Sequence, residues 1–528
     1  MTESLLQDRR TLWFVAGLTI LLFAVANLPW QLDDYDQAKQ AFTSFQMIKE
    51  GRWFYQQTPH EHVATKPPLV GWISAGLFAI TRSWDLAWRL PSFLAAVAIA
   101  VLLFRVATSA YGVIPGLVAF GAFGLNLLSP RLATLVRTDM PLALVIFLIG
   151  LLIWQKVRAE TGWRLPYQVY IFALLTVAML IKGPIVYAFL LPGIAINAVA
   201  VALWATRAPG AARRLQIWSG WWPWIASLCV FLLWVIAGIL FIPGFFDQVV
   251  MREFIARFGE TIHRPQPLYF YLPHLLHKFA PWSVLMIGVA IFDLASRRWR
   301  IDAALREMSL ETFWLLCWNL GGLIAMSLIP SKRVDRIFPI VPPLCLLLAA
   351  QIAKRGSCNH GSVSRPSECA DFDSTGHPPS PSYGEAGRAV GAEGAATRVY
   401  RWSAAALLIA IFFTGVYTIF KIASGYREHR DALAVFGHNV RVMADAHRWR
   451  YQVVSAKDEG LLLYLRKTHF IEPDRAFIEW DRGNLDALVT STEKAPALLS
   501  ELQGAFLSSL KSNERKEEQG RDYVLITH

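Results

Sequence analysis

Charged residues are scarce in this chain. They make up 17% of its 528 residues, whereas hydrophobic types make up 55%, and the mean hydropathy is +0.37. Because soluble domains carry about 25% charged residues, this composition excludes an ordinary soluble enzyme. The missing charge coincides with a series of apolar runs, each about as long as a bilayer span. The sequence therefore predicts a polytopic α-helical membrane protein.

Cysteine is scarce as well, and a cleavable leader is missing. None of the five cysteines forms a CxxC pair, so we expect no disulfide framework. The first apolar run, residues 11–28, follows Arg9 and Arg10 and contains no small-residue cleavage signal. We therefore expect a retained first helix, with both arginines in the cytoplasm.

The sequence also contains no nucleotide-binding loop. The chain is nevertheless basic. Lys and Arg number 51 against 39 Asp and Glu, which gives a net charge of +12. The 21 tryptophans are typical of a protein whose indole rings line membrane interfaces. The basic excess therefore indicates lipid headgroups or a lipid phosphate as partners, and no nucleic acid.

The apolar runs predict about eleven to thirteen transmembrane helices. The positive-inside rule agrees, because the arginine-rich loops then all face the cytoplasm. The segment 67–81 is too short to span and would invert every later loop, so we expect it to be an amphipathic helix at the outer interface. The best-defined spans are residues 11–28, 90–105, 113–129, 140–155, 168–181, 184–204, 222–242, 278–296, 310–329, 336–353 and 402–422.

These spans divide the chain into four predicted regions. Residues 1–354 form a transmembrane domain with a long external loop at 30–89. Residues 355–399, rich in Gly, Ser and Pro, are expected to be a disordered cytoplasmic linker before a last transmembrane helix at 400–423. Residues 424–528 have the composition of a small α/β extracytoplasmic domain. Its strand-like runs are 451–454, 461–465, 476–480, 486–491 and 522–526.

Carboxylates follow the first span at Asp33, Asp34 and Asp36. They are either solvated loop charges or a source of chemistry, in which one of them acts as a base or anchors a metal or a cationic group. Their mutual repulsion can raise one pKa. Asp139 begins a later span, where it is a helix N-cap, a partner of Arg137 or a functional group.

Cations also occur on the predicted outer side. Lys66 precedes Pro67 and Pro68, which fix the backbone so that the ammonium group points to one place; the alternative is a lysine that snorkels to the headgroups. Lys182 and the pair Lys332 and Arg333 interrupt apolar runs on the same side. Cations that stabilise a leaving phosphate, beside a carboxylate that accepts a proton, suit an enzyme that acts on a membrane-embedded phosphate ester.

These motifs resemble the bacterial GT-C membrane glycosyltransferases of the aminoarabinose-transferase and protein-mannosyltransferase group. The resemblance extends over roughly residues 10–350. Asp36, Gly51-Arg52-Trp53 and Lys66-Pro67-Pro68 stand in the order of the family's first loop. Other matching segments are residues 137–142, 182–184, 252–258, 263–267, 269–273, 281–282, 331–332 and 339–344.

The resemblance implies an inverting transferase that takes a sugar from a polyprenyl phosphate carrier. Its acceptor would be lipid A, another glycolipid, a polysaccharide or a protein, at the outer face of the cytoplasmic membrane. It also implies that Asp36 orients or deprotonates the acceptor with help from Asp139. The donor phosphate would be held by Lys66 together with some of Lys39, Arg137, Lys332 and Arg333.

The sequence departs from the family at two positions. Thr65 and Phe254 stand where the aminoarabinose transferases often have a Glu and a His that resemble metal ligands. The substitutes are Glu61, His60, His62 or His263, and no spacing among them compels a metal site. The resemblance therefore leaves a divalent metal cofactor open.

Two other classes of protein remain as alternatives. A transporter or flippase of lipid-linked sugars would use the same cations to bind an anionic lipid and Asp36 for proton coupling. It predicts internal repeats, and the sequence contains no convincing one. A scaffold of envelope assembly accounts for the C-terminal domain but leaves Lys66, beside the interfacial helix, unexplained.

Overall fold

We describe the fold from a computed structural model of the full chain. It describes residues 6–28, 32, 35–60, 62–207, 217–255, 266–356, 383–454, 459–512 and 522–528. Asp33 and Asp34 lie outside the described residues, as do Glu61 and His263.

The N-terminal part is an assembly of helices, which makes the chain a multi-pass membrane protein. Seven helices of the described ranges are long and apolar enough to cross a membrane, or eight if a bent pair counts as one span. The helices are α1 (Arg9–Val25), α2 (Tyr35–Glu50), α3 (Leu69–Thr81), α4 (Trp84–Tyr111), α5 (Val113–Gly124), α6 (Ser129–Ala133), α7 (Asp139–Arg158), α8 (Leu165–Lys182), α9 (Ile185–Arg207), α10 (Trp222–Phe241), α11 (Tyr271–Lys278), α12 (Trp282–Ser296), α13 (Ile301–Arg306), α14 (Leu310–Leu328), α15 (Val341–Gly356) and α16 (Tyr383–Arg427).

This number is smaller than the eleven to thirteen spans predicted, because some predicted runs form shorter or bent helices. The run 113–129 contains a helix of only 12 residues, α5, followed after a break by the short α6. At 1.5 Å per residue α5 is about 18 Å long, well short of a hydrocarbon core about 30 Å thick. The run 278–296 belongs to the pair Leu268–Lys278 and Trp282–Ser296, whose axes differ by 101°.

Two helices differ from, or extend, what the predicted organisation described. The segment 67–81 contains α3, whose 13 residues end at Arg82 in the left-handed conformation; its place at a membrane interface stays a prediction. The helix of the last span, α16, begins at Tyr383, inside the predicted linker 355–399. Extending an existing helix through an alanine-rich stretch costs less free energy than nucleating a new helix. The composition of the linker did not indicate this extension.

Small residues let the membrane helices approach closely. In α14 a Cβ at Gly321 would lie 2.2 Å from the backbone nitrogen of Gly193 in α9. In α7 a Cβ at Gly150 would overlap the ring of Trp318 in α14. Such small residues are typical of helix interfaces in membranes, where backbone proximity gains van der Waals contact.

The C-terminal part is a small α/β domain, as predicted. Its four-stranded sheet has the order β1-β2-β4-β3, with β1 and β2 parallel and the other pairs antiparallel. Its elements are α17 (Ala432–His447), β1 (Tyr451–Val453), α18 (Glu459–Tyr464), α19 (Pro473–Asp481), β2 (Ala487–Ser491), α20 (Ala495–Glu501), β3 (Phe506–Lys511) and β4 (Tyr523–Thr527).

Two of the five strand predictions in this domain were wrong. The runs 461–465 and 476–480 lie in helices α18 and α19. The run 461–465 is buried throughout, and such a run fits a helix as well as a strand. In 476–480 only Ala476 and Trp480 are buried, four residues apart as on one face of a helix, and Pro473 at the start of α19 is a helix-initiating signal.

The two parts of the chain share a hydrophobic core. Phe42 and Phe45 of α2 pack with Trp88 of α4 and with Phe436 and Leu461 of the C-terminal domain. The helix that carries Asp36 is therefore held between the membrane helices and the C-terminal domain.

Candidate active site

Asp36 lies in the first turn of α2 and contacts two arginines from distant parts of the chain. It forms an ion pair and hydrogen bond with Arg333, and its Oδ2 is 3.8 Å from Nη2 of Arg137. Burial raises the pKa of Asp36, but Lys66, Arg333 and Arg137 together lower it by more, so the net pKa lies below its ordinary value. Asp36 is therefore ionised at neutral pH.

A second carboxylate, Asp335, shares these cations. Its Oδ2 accepts a hydrogen bond from Nη1 of Arg137 at 2.9 Å and lies 3.7 Å from Nη2 of Arg131. Arg137 thus bridges two carboxylates. Asp335 and Arg137 are largely buried, and their pairing avoids an uncompensated buried charge, which would be strongly destabilising.

These groups line an open pocket of about 500 Å³, which we call the Asp36 pocket. Four cations and two carboxylates face it, so its charge balance favours an anionic ligand. The lining residues are Asp36, Arg131, Arg137, Phe270, Lys278, Arg333, Val334 and Asp335.

Asp139 is at the first position of α7, where it is only 7% exposed. Its partner is Lys182, which hydrogen-bonds and ion-pairs with its Oδ1. The N-cap position belongs to Thr138, without a side-chain capping bond. The structure therefore gives Asp139 an ion-pair partner, Lys182, that was not among the readings open from the sequence, and it does not support the capping role.

Lys66 lies among charges of both signs. It repels Lys182 and Lys39, and it attracts Asp36 and Asp139. Burial first, and then Lys182, lower the pKa of Lys66 to about 8. A lysine with this pKa is still mostly protonated at neutral pH, and an anion placed beside it would strengthen that protonation. This environment differs from that of a lysine that extends into headgroups.

The other two predicted phosphate ligands have different surroundings. Nζ of Lys39 is 3.5 Å from Oγ1 of Thr65, next to Lys66 in sequence. Nζ of Lys332 is buried and donates to the carbonyl oxygen of Gln266 at 2.9 Å. The structure thus brings Asp36, Arg137 and Arg333 into direct contact. Lys66 and Asp139 lie close enough to interact electrostatically with this group, whereas Lys332 is hydrogen-bonded to a backbone carbonyl.

Sequence reasoning missed five lining residues of the Asp36 pocket, namely Arg131, Phe270, Lys278, Val334 and Asp335. Asp335 stands two residues after Arg333, on the segment already singled out for its cations, and this spacing was a usable signal. Lys278 and Phe270 come from the bent pair of helices, and only the fold brings them to Asp36.

The C-terminal domain also reaches this region. A Cβ at Gly460 of α18 would lie 2.0 Å from the carbonyl oxygen of Leu32, and the Leu32 N–H donates to the Tyr464 hydroxyl at 2.8 Å. The backbone before α2 is therefore clamped by α18. Glu459 on the same helix is buried, and burial raises its pKa to about 7 although Lys39 opposes the rise.

The metal question stays open. Among the described residues, no group of three or more His, Cys, Asp and Glu side chains is placed to hold a metal ion. His60 stacks on Phe470 at 5.1 Å between ring centroids, and His62 is exposed. Two of the predicted substitutes, Glu61 and His263, lie outside the part that the structure describes.

Comparison with known proteins gives three related matches. Residues 65–245 match the dolichyl-phosphate-mannose-protein mannosyltransferase family. The undecaprenyl phosphate-alpha-4-amino-4-deoxy-L-arabinose arabinosyl transferase 1 of Sodalis glossinidius (strain morsitans) is 26% identical over 347 residues, covering 63% of this chain and 56% of that protein. Its counterpart in Yersinia pestis (strain Pestoides F) is 34% identical over 130 residues, covering 24% of this chain and 22% of that protein.

A solved structure matches over nearly the whole chain. The crystal structure of ArnT from Cupriavidus metallidurans bound to undecaprenyl phosphate aligns with a TM-score of 0.62 and 17% identity, covering 98% of this chain and 97% of that chain. The fold is therefore similar to that of this membrane protein, with a C-terminal α/β domain. The chain is similar to the aminoarabinose transferases and to the protein mannosyltransferases, and it spans about half the length of the first of these relatives.

Proposed function

We propose that this protein is a glycosyltransferase that takes a sugar from a polyprenyl (undecaprenyl) phosphate carrier. The acceptor is a lipid A, another glycolipid, a polysaccharide or a protein, at the outer face of the cytoplasmic membrane. The observation that carries the proposal is Asp36 in contact with Arg333 and Arg137 at a pocket with an excess of cations. The similarity to arabinosyl transferases that use undecaprenyl phosphate supports this donor class.

The contacts of Asp36 suggest how the reaction proceeds. An ionised Asp36 accepts a hydrogen bond from the acceptor hydroxyl and takes its proton as the new glycosidic bond forms. The hydroxyl attacks the anomeric carbon from the face opposite the phosphate, so the bond to phosphate breaks with inversion. Arg137, Arg333 and Lys66 stabilise the negative charge that develops on the departing polyprenyl phosphate.

The donor phosphate and Asp36 compete for the same cations. While Arg333 and Arg137 hold Asp36, its lowered pKa makes it a weak base. A phosphate that draws these guanidinium groups toward itself leaves Asp36 with less positive charge nearby, and its pKa then rises. Donor binding thus converts Asp36 into a better base at the moment when it is needed. Asp139, tied to Lys182, supports the cation cluster around Lys66.

Replacing Asp36 with Asn tests the proposal. Transfer of the sugar by Asp36→Asn, measured with the purified full chain in membrane vesicles, should fall by about a thousandfold or more because the proton acceptor is gone. Binding of polyprenyl phosphate should persist. Asp481→Asn, at an exposed carboxylate of α19, is the matched control and should transfer normally. Near-normal transfer by Asp36→Asn would remove Asp36 from this role.

The acceptor and the orientation need separate measurements. Mass spectrometry of lipid A and envelope glycans, with and without the gene, should show the loss of one sugar mass. A precursor that accumulates fully assembled but untranslocated would favour the flippase instead. Reporter fusions in the loop 30–89 should lie outside the cytoplasm, and a cytoplasmic signal there would refute the placement of the site.

A further inference from the structure

A second cavity, of about 730 Å³, lies where the C-terminal domain meets the membrane helices. We call it the junction pocket. One wall is formed by Leu28 after α1 and by Leu86 and Phe93 of α4. The opposite wall comes from α17, with Arg441, and from Arg466 after α18. This volume is in the range that accommodates a lipid headgroup and the first part of its chains.

The apolar wall continues into the lipid-facing surface of the spans. Leu86 is 53% exposed at the start of α4, which is long and apolar enough to cross a membrane, and Leu28, after α1, is 45% exposed. Side chains of this kind at the end of a span contact acyl chains rather than water. An occupant of the pocket can therefore extend into the bilayer without leaving an apolar surface.

The pocket also carries an excess of positive charge, which comes from α4 as well as from the C-terminal domain. Arg89, Arg441 and Arg466 line the pocket against one carboxylate, Asp85. Arg466 lies near Trp88, with its guanidinium carbon 5.7 Å from the ring centroid, and Nη1 donates to the Leu463 carbonyl oxygen at 3.3 Å. The guanidinium of Arg466 is therefore held in place at the pocket wall.

Two features of the side formed by the C-terminal domain suit an anionic ligand. Nε of Arg441 is buried and has no hydrogen-bond partner in the described part of the chain. Burial, and then the neighbouring Arg441, lower the pKa of Arg466, which shows that two guanidinium groups repel each other here. A buried donor without an acceptor and two adjacent like charges are both unfavourable, and one phosphate would relieve both.

We propose that the junction pocket binds an anionic phospholipid from the leaflet on the side of the C-terminal domain. The phosphate diester contacts Arg441, Arg466 and Arg89, and the acyl chains lie along Leu28, Leu86 and Phe93. The lipid connects α17 to α4, so it stabilises the docking of the C-terminal domain on the membrane helices. This site is separate from the Asp36 pocket and does not depend on the sugar-transfer reaction.

Lipid retention by the full-length protein tests the proposal. The protein is placed in nanodiscs of phosphatidylcholine alone or of phosphatidylcholine with phosphatidylglycerol, and native mass spectrometry and thermal unfolding are recorded. We expect the wild type to retain phosphatidylglycerol preferentially and to unfold at a higher temperature when it is present. Equal retention of the two lipids by the wild type would overturn the proposal without any variant.

Variants then locate the site. Arg441→Gln and, on a different element, Arg89→Gln should each weaken phosphatidylglycerol retention about tenfold, because each removes a charge-assisted hydrogen bond to phosphate. Arg475→Gln, at an exposed position of α19, is the matched control and should bind as the wild type does. Retention unchanged in both pocket variants would show that the lipid binds elsewhere. Inorganic phosphate should not raise the unfolding temperature in phosphatidylcholine discs; if it did, the site would be one for a free anion, and the lipid proposal would fail.

Discussion

Arg137 joins the two carboxylates of the Asp36 pocket, and this shared cation governs how the pocket responds to an anion. Its Nη1 binds Asp335 at 2.9 Å while its Nη2 is 3.8 Å from Asp36. The shorter contact keeps Arg137 in position when a phosphate draws the guanidinium away from Asp36. We therefore expect Asp335 to position Arg137.

The low pKa of Lys66 predicts a pH dependence of donor binding. Lys66 is protonated below about pH 8 and loses its charge above it, so the affinity for polyprenyl phosphate should fall as the pH rises through this region. The arginine in Lys66→Arg keeps its charge at every accessible pH, so the affinity of this variant for polyprenyl phosphate should not fall as the pH rises. Equilibrium binding of polyprenyl phosphate over a pH series measures this. A parallel decline in both proteins would assign the titration to another group.

The buried carboxyl of Glu459 predicts a pH dependence of stability. Its pKa is raised from 4.5 to about 7 on folding, so the folded state holds a proton that the unfolded state releases between these values. The stability of the wild type should therefore fall as the pH rises from 4.5 to about 7. Glu459→Gln cannot ionise and should be more stable than the wild type by about 3 kcal/mol at pH 8, with little difference at pH 4.5.

Thermal unfolding of the full chain at the two pH values measures the effect of Glu459→Gln. Glu479→Gln, on the partly exposed side of α19, should show no such pH-dependent difference. A Gln variant at 459 that is less stable than the wild type at pH 8 would contradict the prediction, because it would mean that the ionised carboxylate stabilises the fold.

At the scale of elements, the packing of α9 against α14 depends on two glycines. A Cβ at Gly321 would meet the backbone of Gly193, which cannot move aside as a flexible side chain would. Gly321→Ala should therefore separate the helices and destabilise the membrane part by about 1–3 kcal/mol. Gly288→Ala in α12, where a Cβ meets nothing within 4 Å, is the matched control. Thermal unfolding in detergent compares the two, and equal effects would contradict the packing argument.

The bent pair of helices shows why element length matters for the site. Had the run 278–296 formed one straight span with its preceding residues, Lys278 and Phe270 would not both reach the pocket of Asp36. The 101° bend between Leu268–Lys278 and Trp282–Ser296 turns α11 across the mouth of the helix assembly. The apolar run by itself predicted a span, although Pro281 stands at the break between the two helices and is a residue that ends or kinks a helix.

At the scale of the whole molecule, the C-terminal domain contacts the backbone that leads into the helix of Asp36. Its helix α18 contacts the backbone of Leu32 through Gly460, and Leu32 is four residues before Asp36. Asp36 lies on α2, and this helix also belongs to the shared core. Its Phe42 and Phe45 pack with Phe436 and Leu461 of the C-terminal domain. The geometry around Asp36 therefore depends on how the domain docks.

Gly460→Ala tests this dependence. The added Cβ would lie 2.0 Å from the Leu32 carbonyl oxygen, so α18 or the start of α2 must shift. Sugar transfer should fall about tenfold to a hundredfold, since misplacement by about 1 Å has this effect, while the membrane helices stay folded. Gly415→Ala in α16, with nothing within 4 Å, should transfer normally. Normal transfer by Gly460→Ala would separate the domain from catalysis.

The sequence by itself determined those properties that follow from local composition and order. The scarcity of charge indicated a membrane protein, because apolar runs of span length have few other uses. The order of Asp36, Lys66, Asp139 and Lys182 carried the family resemblance, and the strands around 451–454, 486–491 and 522–526 followed from their patterns.

Only the tertiary structure decided which charges meet. Asp36 and Arg333 are separated by 297 positions in sequence, and their contact depends on helix lengths, the bend before α12 and the docking of the C-terminal domain. The helices at 461–465 and 476–480 were mistaken for strands because a short apolar run reports burial and not the backbone conformation that achieves it. Contacts between distant segments result from the packing of the whole chain, and no local pattern encodes them.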